Sequence, residues 1–355
     1  MNAETSQPAG ADTAPTFLRD LWYMAALAKS VVPGKMRREI LLGEPVVIGR
    51  LRDGKVFALR DICPHRGVPL SAGRVTDENS VECPYHGWRF RADGVCSLIP
   101  SLVDENDMDA SRIKVRSYPT REQDGLIWIF MPSRDGQQPA FEPPKVGVPN
   151  AKPRWHISQT FHCHMDHAVI GLMDPAHAPY VHGRWWWKRA QRLKEKAYAP
   201  QERGFVMTRH QPSKPAYKIL GGDVTTEITF ELPGIRFENI RSTLFGRQTD
   251  VVGLTACTPI DAQTTQVTQI FYWPFWLGFI RPFFMALGPT FLGDDRRMVE
   301  LQRDGLKFNP NLMLIRDADQ PAIWYHRLKK AWAEFSATGE PFVNPVKEQT
   351  LRWRS

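Results

Sequence analysis

Residues 63–88 read CPHRGVPLSAGRVTDENSVECPYHGW, and this stretch settles what the first third of the chain is built to hold. Two short loops each offer one thiolate and one imidazole: Cys63 with His65, then Cys83 with His86, with seventeen residues between His65 and Cys83. Paired loops of this composition suit an asymmetric [2Fe-2S] cluster, in which thiolates take one iron and imidazoles the other. On that assignment Cys63 and Cys83 hold the first iron, His65 and His86 the second. Gly67 and Gly87 let backbone amides approach the sulfides closely. A Cys2His2 zinc site takes the same ligand types. Zinc modules, however, usually place two cysteines on one knuckle and two histidines on another, whereas both loops here carry the mixed pair.

Working outward, the sequence from Trp22 to about Met131 alternates short apolar runs with turns: EPVVIGRL, Asp53-Gly54, KVFALRD, Asp93-Gly94, GLIWIF. That pattern predicts a small all-β domain over residues 16–132. Residues 1–15, rich in Ala, Thr, Pro and Gly, are expected to be a disordered tail. Residues 133–153, rich in Pro, Gly and Gln, are expected to be a linker. The remainder, 154–355, mixes strands (TTEITFEL, TTQVTQIFYW) with helical stretches near 166–182, 294–305 and 319–335, so the fold class is α+β.

A second cluster of ligand types lies in DHAVIGLMDPAHAPYVH, residues 166–182, where Asp174, His177 and His182 form D-x-x-H-x-x-x-x-H. Asp174 and His177 would share one face of a regular helix, but histidines five apart would not converge on one ion. A bend at Pro179 is expected to bring them together. Two imidazoles and one carboxylate on one face suit a non-haem Fe(II) with open positions, so the carboxylate must come from elsewhere in the chain. His162, His164 and His167, just upstream, read as hydrogen-bonded structural histidines.

Together these motifs resemble the Rieske-type non-haem iron oxygenases, and closest is the single-component-oxygenase group of O- and N-demethylases and monooxygenases. The resemblance runs from Trp22 through nearly the whole chain. It implies a C-terminal catalytic domain of helix-grip type with an antiparallel sheet, and a third iron ligand in LGDDRRMVELQ, at Asp295 with Asp294 as the alternative. It also implies that Asp174 links a cluster histidine of one subunit to an iron histidine of its neighbour, along His86, Asp174 and His177, within a homotrimer. The family often carries Asn or Glu three or four residues before that aspartate, where this chain has Gly171 and Ile170.

The implied activity is O2-dependent hydroxylation or oxidative demethylation of an aromatic substrate. The electrons would come from NAD(P)H through a separate reductase or ferredoxin, since no G-x-G-x-x-G nucleotide fingerprint is present. Two alternatives are ring cis-dihydroxylation and a Rieske electron-transfer protein that lacks oxygenase activity; the latter would have no use for His177 and His182.

Composition narrows the setting. The formal charge is +8, but its Lys and Arg residues are interleaved with acids and form no stripe or tail, which argues against nucleic acid. Such a surface suits the steering of an acidic electron donor. Five cysteines, two of them in the Cys/His loops, fit metal ligation in a reducing compartment, with no disulfide and no secretory signal, so a cytoplasmic protein is expected. Residues 271–293 carry the single charge Arg281 and are interrupted by Pro274, Pro282 and Pro289. They read as a core strand followed by a buried helix or pocket wall, in preference to a membrane span. Trp185, Trp186 and Trp187 are candidates for a flat aromatic pocket, a core or a subunit interface.

Overall fold

The computed structural model describes residues 17–103, 105–148, 150–182, 192–212, 223–244 and 246–355. The tail expected at 1–15 and the tryptophan run 185–187 lie outside the described residues. The chain divides into two compact units, one of residues 19–145 and the other of residues 146–355 together with the extreme N-terminal stretch.

The first unit is all β. Strands β1 (Leu21–Leu27), β2 (Lys35–Leu41), β3 (Glu44–Arg50), β4 (Val56–Arg60), β5 (Arg74–Val75), β6 (Val81–Glu82), β7 (Arg89–Phe90), β8 (Cys96–Leu98), β9 (Thr120–Gln123) and β10 (Leu126–Met131) form three antiparallel sheets. Their orders are β1-β10-β9, β2-β3-β4 and β5-β6-β7-β8. Strand β10 is buried along its whole length, which is why LIWIFM is a continuous apolar run and not an alternating one. Leu59, Leu70, Val81 and Phe90, all at 0% exposure, form the floor under the two Cys/His loops. Residues 133–145 are fastened to this unit: the Trp22 indole donates to the Phe141 carbonyl, and the Gln123 amide donates to the carbonyls of Pro143 and Pro144.

The second unit is an eight-stranded antiparallel sheet with helices. Its strands are β11 (Trp155–Phe161), β12 (Leu193–Gln201), β13 (Gly204–His210), β14 (Thr225–Glu231), β15 (Ile235–Leu244), β16 (Arg247–Asp261), β17 (Thr264–Tyr272) and β18 (Gln349–Arg354). They lie in the order β11-β17-β16-β15-β14-β13-β12-β18. Helices α1 (Met165–Met173), α2 (Ala178–Val181), α3 (Arg281–Leu306) and α4 (Gln320–Thr338) complete the unit. From α4, Trp324 packs on Tyr198 and Phe205 at 5.4 and 5.2 Å, and Tyr325 on Phe230 at 5.7 Å. The fold class is thus α+β, a β domain plus a second unit with a large antiparallel sheet.

One expectation is corrected. The apolar segment does begin as the end of β17, but α3 continues straight through Pro289 and starts at Arg281, well before the expected 294. Of the two readings, buried helix or pocket wall, the second holds: Phe283 and Met285 of α3 are 48% and 57% exposed, while Phe284, Leu287 and Phe291 line a cavity. The run Phe275–Leu306 is long and apolar enough to cross a membrane by length and composition, with 11% of its most apolar window buried. Its contacts are those of a wall. The Gly288 backbone abuts the Trp155 ring so closely that a Cβ would lie 2.1 Å from it, and the Gln159 amide donates to the Pro289 carbonyl at 3.1 Å.

Helix α1 is pinned to α4 by charge. The Asp166 carboxylate accepts from the Lys329 ammonium at 2.6 Å and from the Tyr325 hydroxyl at 2.8 Å. These partners hold its pKa below the usual carboxylate range although burial pushes it up. Replacing Lys329 with Met leaves a largely enclosed carboxylate without its cation. Each partner keeps 20% side-chain exposure. The expected cost therefore lies toward the low end of roughly 3–5 kcal/mol, read as a lower denaturation midpoint for the catalytic unit.

Candidate metal centres

The two Cys/His loops have matching backbones. The Cys63 amide donates to the Val68 carbonyl at 2.9 Å and the Gly67 amide returns to the Cys63 carbonyl at 2.9 Å. Twenty residues on, Cys83 pairs with Trp88 at 2.8 Å and Gly87 with Cys83 at 3.1 Å in the same pattern. Gly67 and Gly87 take φ of +73° and +70°, a left-handed turn that glycine adopts without strain. Asp61 braces the first loop, accepting from the Ser71 amide and hydroxyl at 2.7 and 2.6 Å. Glu82 braces the second, accepting from Arg74 and Arg89 at 2.7 and 2.9 Å.

This frame buries the two sulfurs and exposes the two imidazoles. Cys63 and Cys83 are each 2% exposed, while His65 and His86 face solvent with ring centroids 4.5 Å apart. Burial pushes the Cys63 thiol up to about 11; the neighbouring Cys83 thiol adds to this, and the His65 and Arg66 amides pull against it. Buried thiols that repel ionisation need a cation to become thiolates, and a bound metal supplies one. Trp88 stacks on His65 at 4.7 Å, and its indole nitrogen is buried without a hydrogen-bond partner among the described residues. Donor types, burial and loop symmetry fit a [2Fe-2S] cluster, with sulfur ligands inside and nitrogen ligands at the rim.

In the second unit the chain break that shapes the site is at Pro175, not Pro179. Asp174 precedes a proline, which disfavours the helical conformation, and it stands at φ −61°, ψ 118°, ending α1. Pro179 lies within the first turn of α2, where proline is tolerated. Asp174 and His177 therefore do not share a helix face. His177 and His182 instead bracket the single turn of α2, and their rings meet at 5.4 Å.

Asp295 comes from α3, on the same face as buried Leu292 and Val299. Its Oδ1 lies 3.1 Å from His182 Nε2 and 3.5 Å from His177 Nε2, and one ligand atom from each of the three residues falls within 4.8 Å of the others. Asp294 stands on the other side of the His182 ring, 3.8 Å from Nδ1, so Asp295 is the carboxylate that converges with both imidazoles. His177 Nδ1 lies 2.7 Å from the Asp174 carbonyl oxygen, which can only accept; the proton is therefore on Nδ1, and Nε2 is bare toward Asp295. Burial also holds the His177 pKa low, favouring the neutral form that binds metal. His182 is 5% exposed, and among the described residues neither ring nitrogen makes a well-formed hydrogen bond, although the Asp295 carboxylate stands 3.1 Å from Nε2. Imidazole nitrogens and a carboxylate that converge without pairing properly fit a set arranged around a metal.

Asp174 orients His177 through its backbone carbonyl, while its carboxylate accepts the Ala176 amide at 2.7 Å and lies 3.9 Å from His177 Nδ1. Burial raises the pKa of that carboxylate, the Ala176 amide and His177 lower it, and Asp319 raises it. His164 caps α1, accepting from the Asp166 amide at 3.2 Å, and takes no part in the triad. Phe291 stacks on His182 at 3.8 Å, a contact the sequence reading missed although it lies four residues before Asp295. The triad opens onto a cavity of about 980 Å³ whose walls include Phe205, Ile228, Phe271, Phe284 and Phe291.

Comparison with known proteins places these two centres. Residues 21–119 match the Rieske [2Fe-2S] domain and residues 161–334 the vanillate O-demethylase oxygenase C-terminal domain. Among curated relatives, chlorophyllide a oxygenase of Arabidopsis thaliana is 33% identical over 46% of this chain and 29% of its own length. The oxygenase component of dicamba O-demethylase of Stenotrophomonas maltophilia is 36% identical over 47% of this chain and 48% of its own. The matches thus span less than half the length of either relative. Dicamba monooxygenase, solved with non-haem iron and dicamba, shares the fold at a TM-score of 0.69 and 24% identity, over 91% of this chain and 99% of that one.

A titration of metal-free protein with Fe(II) under anaerobic conditions separates the two candidate carboxylates. Asp295→Ala is expected to abolish stoichiometric binding, whereas Asp294→Ala, outside the converging set, costs no more than about 10–100-fold in affinity.

A Rieske domain followed by an oxygenase C-terminal domain, together with a His/His/Asp set that fits Fe(II), makes the chain a member of the Rieske-type non-haem iron oxygenase family, with a [2Fe-2S] cluster and Fe(II) as its cofactors.

Proposed function

We propose that the chain is the terminal oxygenase of a multicomponent system that hydroxylates or oxidatively demethylates an aromatic substrate with O2. The observation that carries this reading is the convergence of His177, His182 and Asp295 on the wall of a large, mostly apolar cavity. An electron carrier has no need of such a set. The demethylase or monooxygenase direction, in preference to cis-dihydroxylation, is supported by the O-demethylase C-terminal domain that the catalytic unit matches.

In this reading Cys63, His65, Cys83 and His86 hold the cluster, and His177, His182 and Asp295 hold the iron. When bound, the iron supplies O2 activation and the cluster supplies electrons. The residues of the chain do the rest. The Asp174 carbonyl fixes the His177 tautomer, Phe291 holds the His182 ring, and the apolar wall excludes water from the reacting end of the substrate. The Asp174 carboxylate, beside His177, would link it to His86 of a neighbouring subunit in a homotrimer. Electrons would arrive from NAD(P)H through a separate reductase or ferredoxin, steered by the basic surface. All five cysteines are free, as suits a reducing compartment such as the cytoplasm.

The test is NADH-dependent O2 uptake by the loaded protein with a reductase–ferredoxin pair, over a panel of methoxylated and N-methylated aromatics. Substrate-dependent uptake with release of formaldehyde is expected. Asp174→Ala should retain its iron and its cluster spectrum but lose on the order of 100-fold in turnover, the scale of a supporting residue at a metal site. Uptake that no aromatic stimulates, or an Asp174→Ala variant with full turnover, would contradict the reading.

A further inference from the structure

The side of the cavity away from the iron ligands carries positive charge that the reaction does not use. Strand β12 alternates, so Lys194, Lys196 and Tyr198 project to one face, and all three line the cavity. On the opposite face Glu195 is taken by Arg352 at 2.8 Å. Among the described residues neither lysine has a carboxylate within ion-pair distance. Lys194 donates to the Ser355 hydroxyl at 2.6 Å and Lys196 to the Gln211 carbonyl at 3.2 Å, which leaves each ammonium with unused donors. Burial lowers the pKa of both, and each lysine sits in a wall that is otherwise largely apolar. Glu238, which also lines the cavity, is engaged by Arg236 at 3.1 Å.

Tyr198 supplies a second, independent sign. It is 2% exposed, lines the cavity, and its hydroxyl is buried with no hydrogen-bond partner among the described residues. A buried phenol left unpaired is costly, and a bound polar group would relieve that cost. Tyr198 shares the cavity wall with Asp174, His177 and Asp295. Cavity-lining residues extend from β17 to β12, five strand spacings or about 24 Å of sheet, more than a single ring occupies.

We infer that the substrate is an elongated apolar anion, a multi-ring or long-chained carboxylate, whose charged group is held by Lys194 and Lys196 and whose body passes the Tyr198 hydroxyl toward His177, His182 and Asp295. This rests on the oxygenase reading for which end reacts, but not for the anion site itself. The lysines are specificity residues: they select the charged end and set which carbon reaches the metal.

The test uses pyrene-1-butyrate and its neutral amide, titrated by calorimetry into the full cluster- and iron-loaded chain. Wild-type protein is expected to bind the acid at least about 10-fold more tightly than the amide, the scale of hydrogen bonds to a charged group. In Lys194→Met/Lys196→Met the ratio should fall to within about twofold while amide affinity is unchanged, which also shows the cavity intact. Lys196→Gln, expected to give an intermediate ratio, covers failure of the double variant to fold. Equal binding of acid and amide by wild type, acid preference that survives the double variant, or no binding of either probe would overturn the inference. Iron, sulfide and the cluster spectrum are read on the same samples. Their loss with acid preference intact would sink the oxygenase reading alone; the reverse would sink the anion site alone.

Discussion

The second unit depends on one backbone feature, the extended conformation of Asp174 at the end of α1, which the ring of Pro175 favours. Because α1 stops there, the chain turns and restarts one residue after His177, and the single turn of α2 places His182 beside it. A continuous helix would point the two imidazoles about 140° apart. The same break frees the Asp174 carbonyl from a helical hydrogen bond, and it accepts the His177 Nδ1 proton instead. That turn sets the position, tautomer and partner of His177, and α3 presents Asp295 to it from its inward face.

The N-terminal unit solves the complementary problem by repetition. Two loops with the same pair of backbone hydrogen bonds and the same left-handed glycine bury sulfur and expose nitrogen. The buried thiols are the groups that need a metal's charge to ionise, while the imidazoles stand at the rim.

How much of this was legible in the sequence follows from how local each feature is. The cluster loops are set by spacing and glycines within 26 residues, so their ligand types and strand-rich surroundings could be read directly. The His177–His182 pair was legible as chemistry, but its geometry was assigned to the wrong proline, because the decisive effect of Pro175 falls on the residue before it. Asp295 could be reached only through a family likeness, since α3 meets α2 across more than a hundred residues of chain. For the segment 271–293 the sequence leaves buried helix and pocket wall open, because composition does not say which side of a helix the protein covers; the structure makes it a wall. Lys194, Lys196 and Tyr198 were overlooked, although the alternation in KEKAY is a strand signal; what they face depends on sheet curvature and on helix placement, which no local pattern encodes.

The central claim is that one chain carries two different metal centres. It is tested most directly by iron and sulfide analysis of anaerobically purified protein, with an electron paramagnetic resonance spectrum after dithionite reduction, on wild type and His177→Ala. The account predicts about three irons and two sulfides per chain with a Rieske signal, falling to about two irons in the variant with sulfide and signal unchanged. Zinc without sulfide would contradict the cluster, and about two irons in both proteins would contradict the catalytic iron.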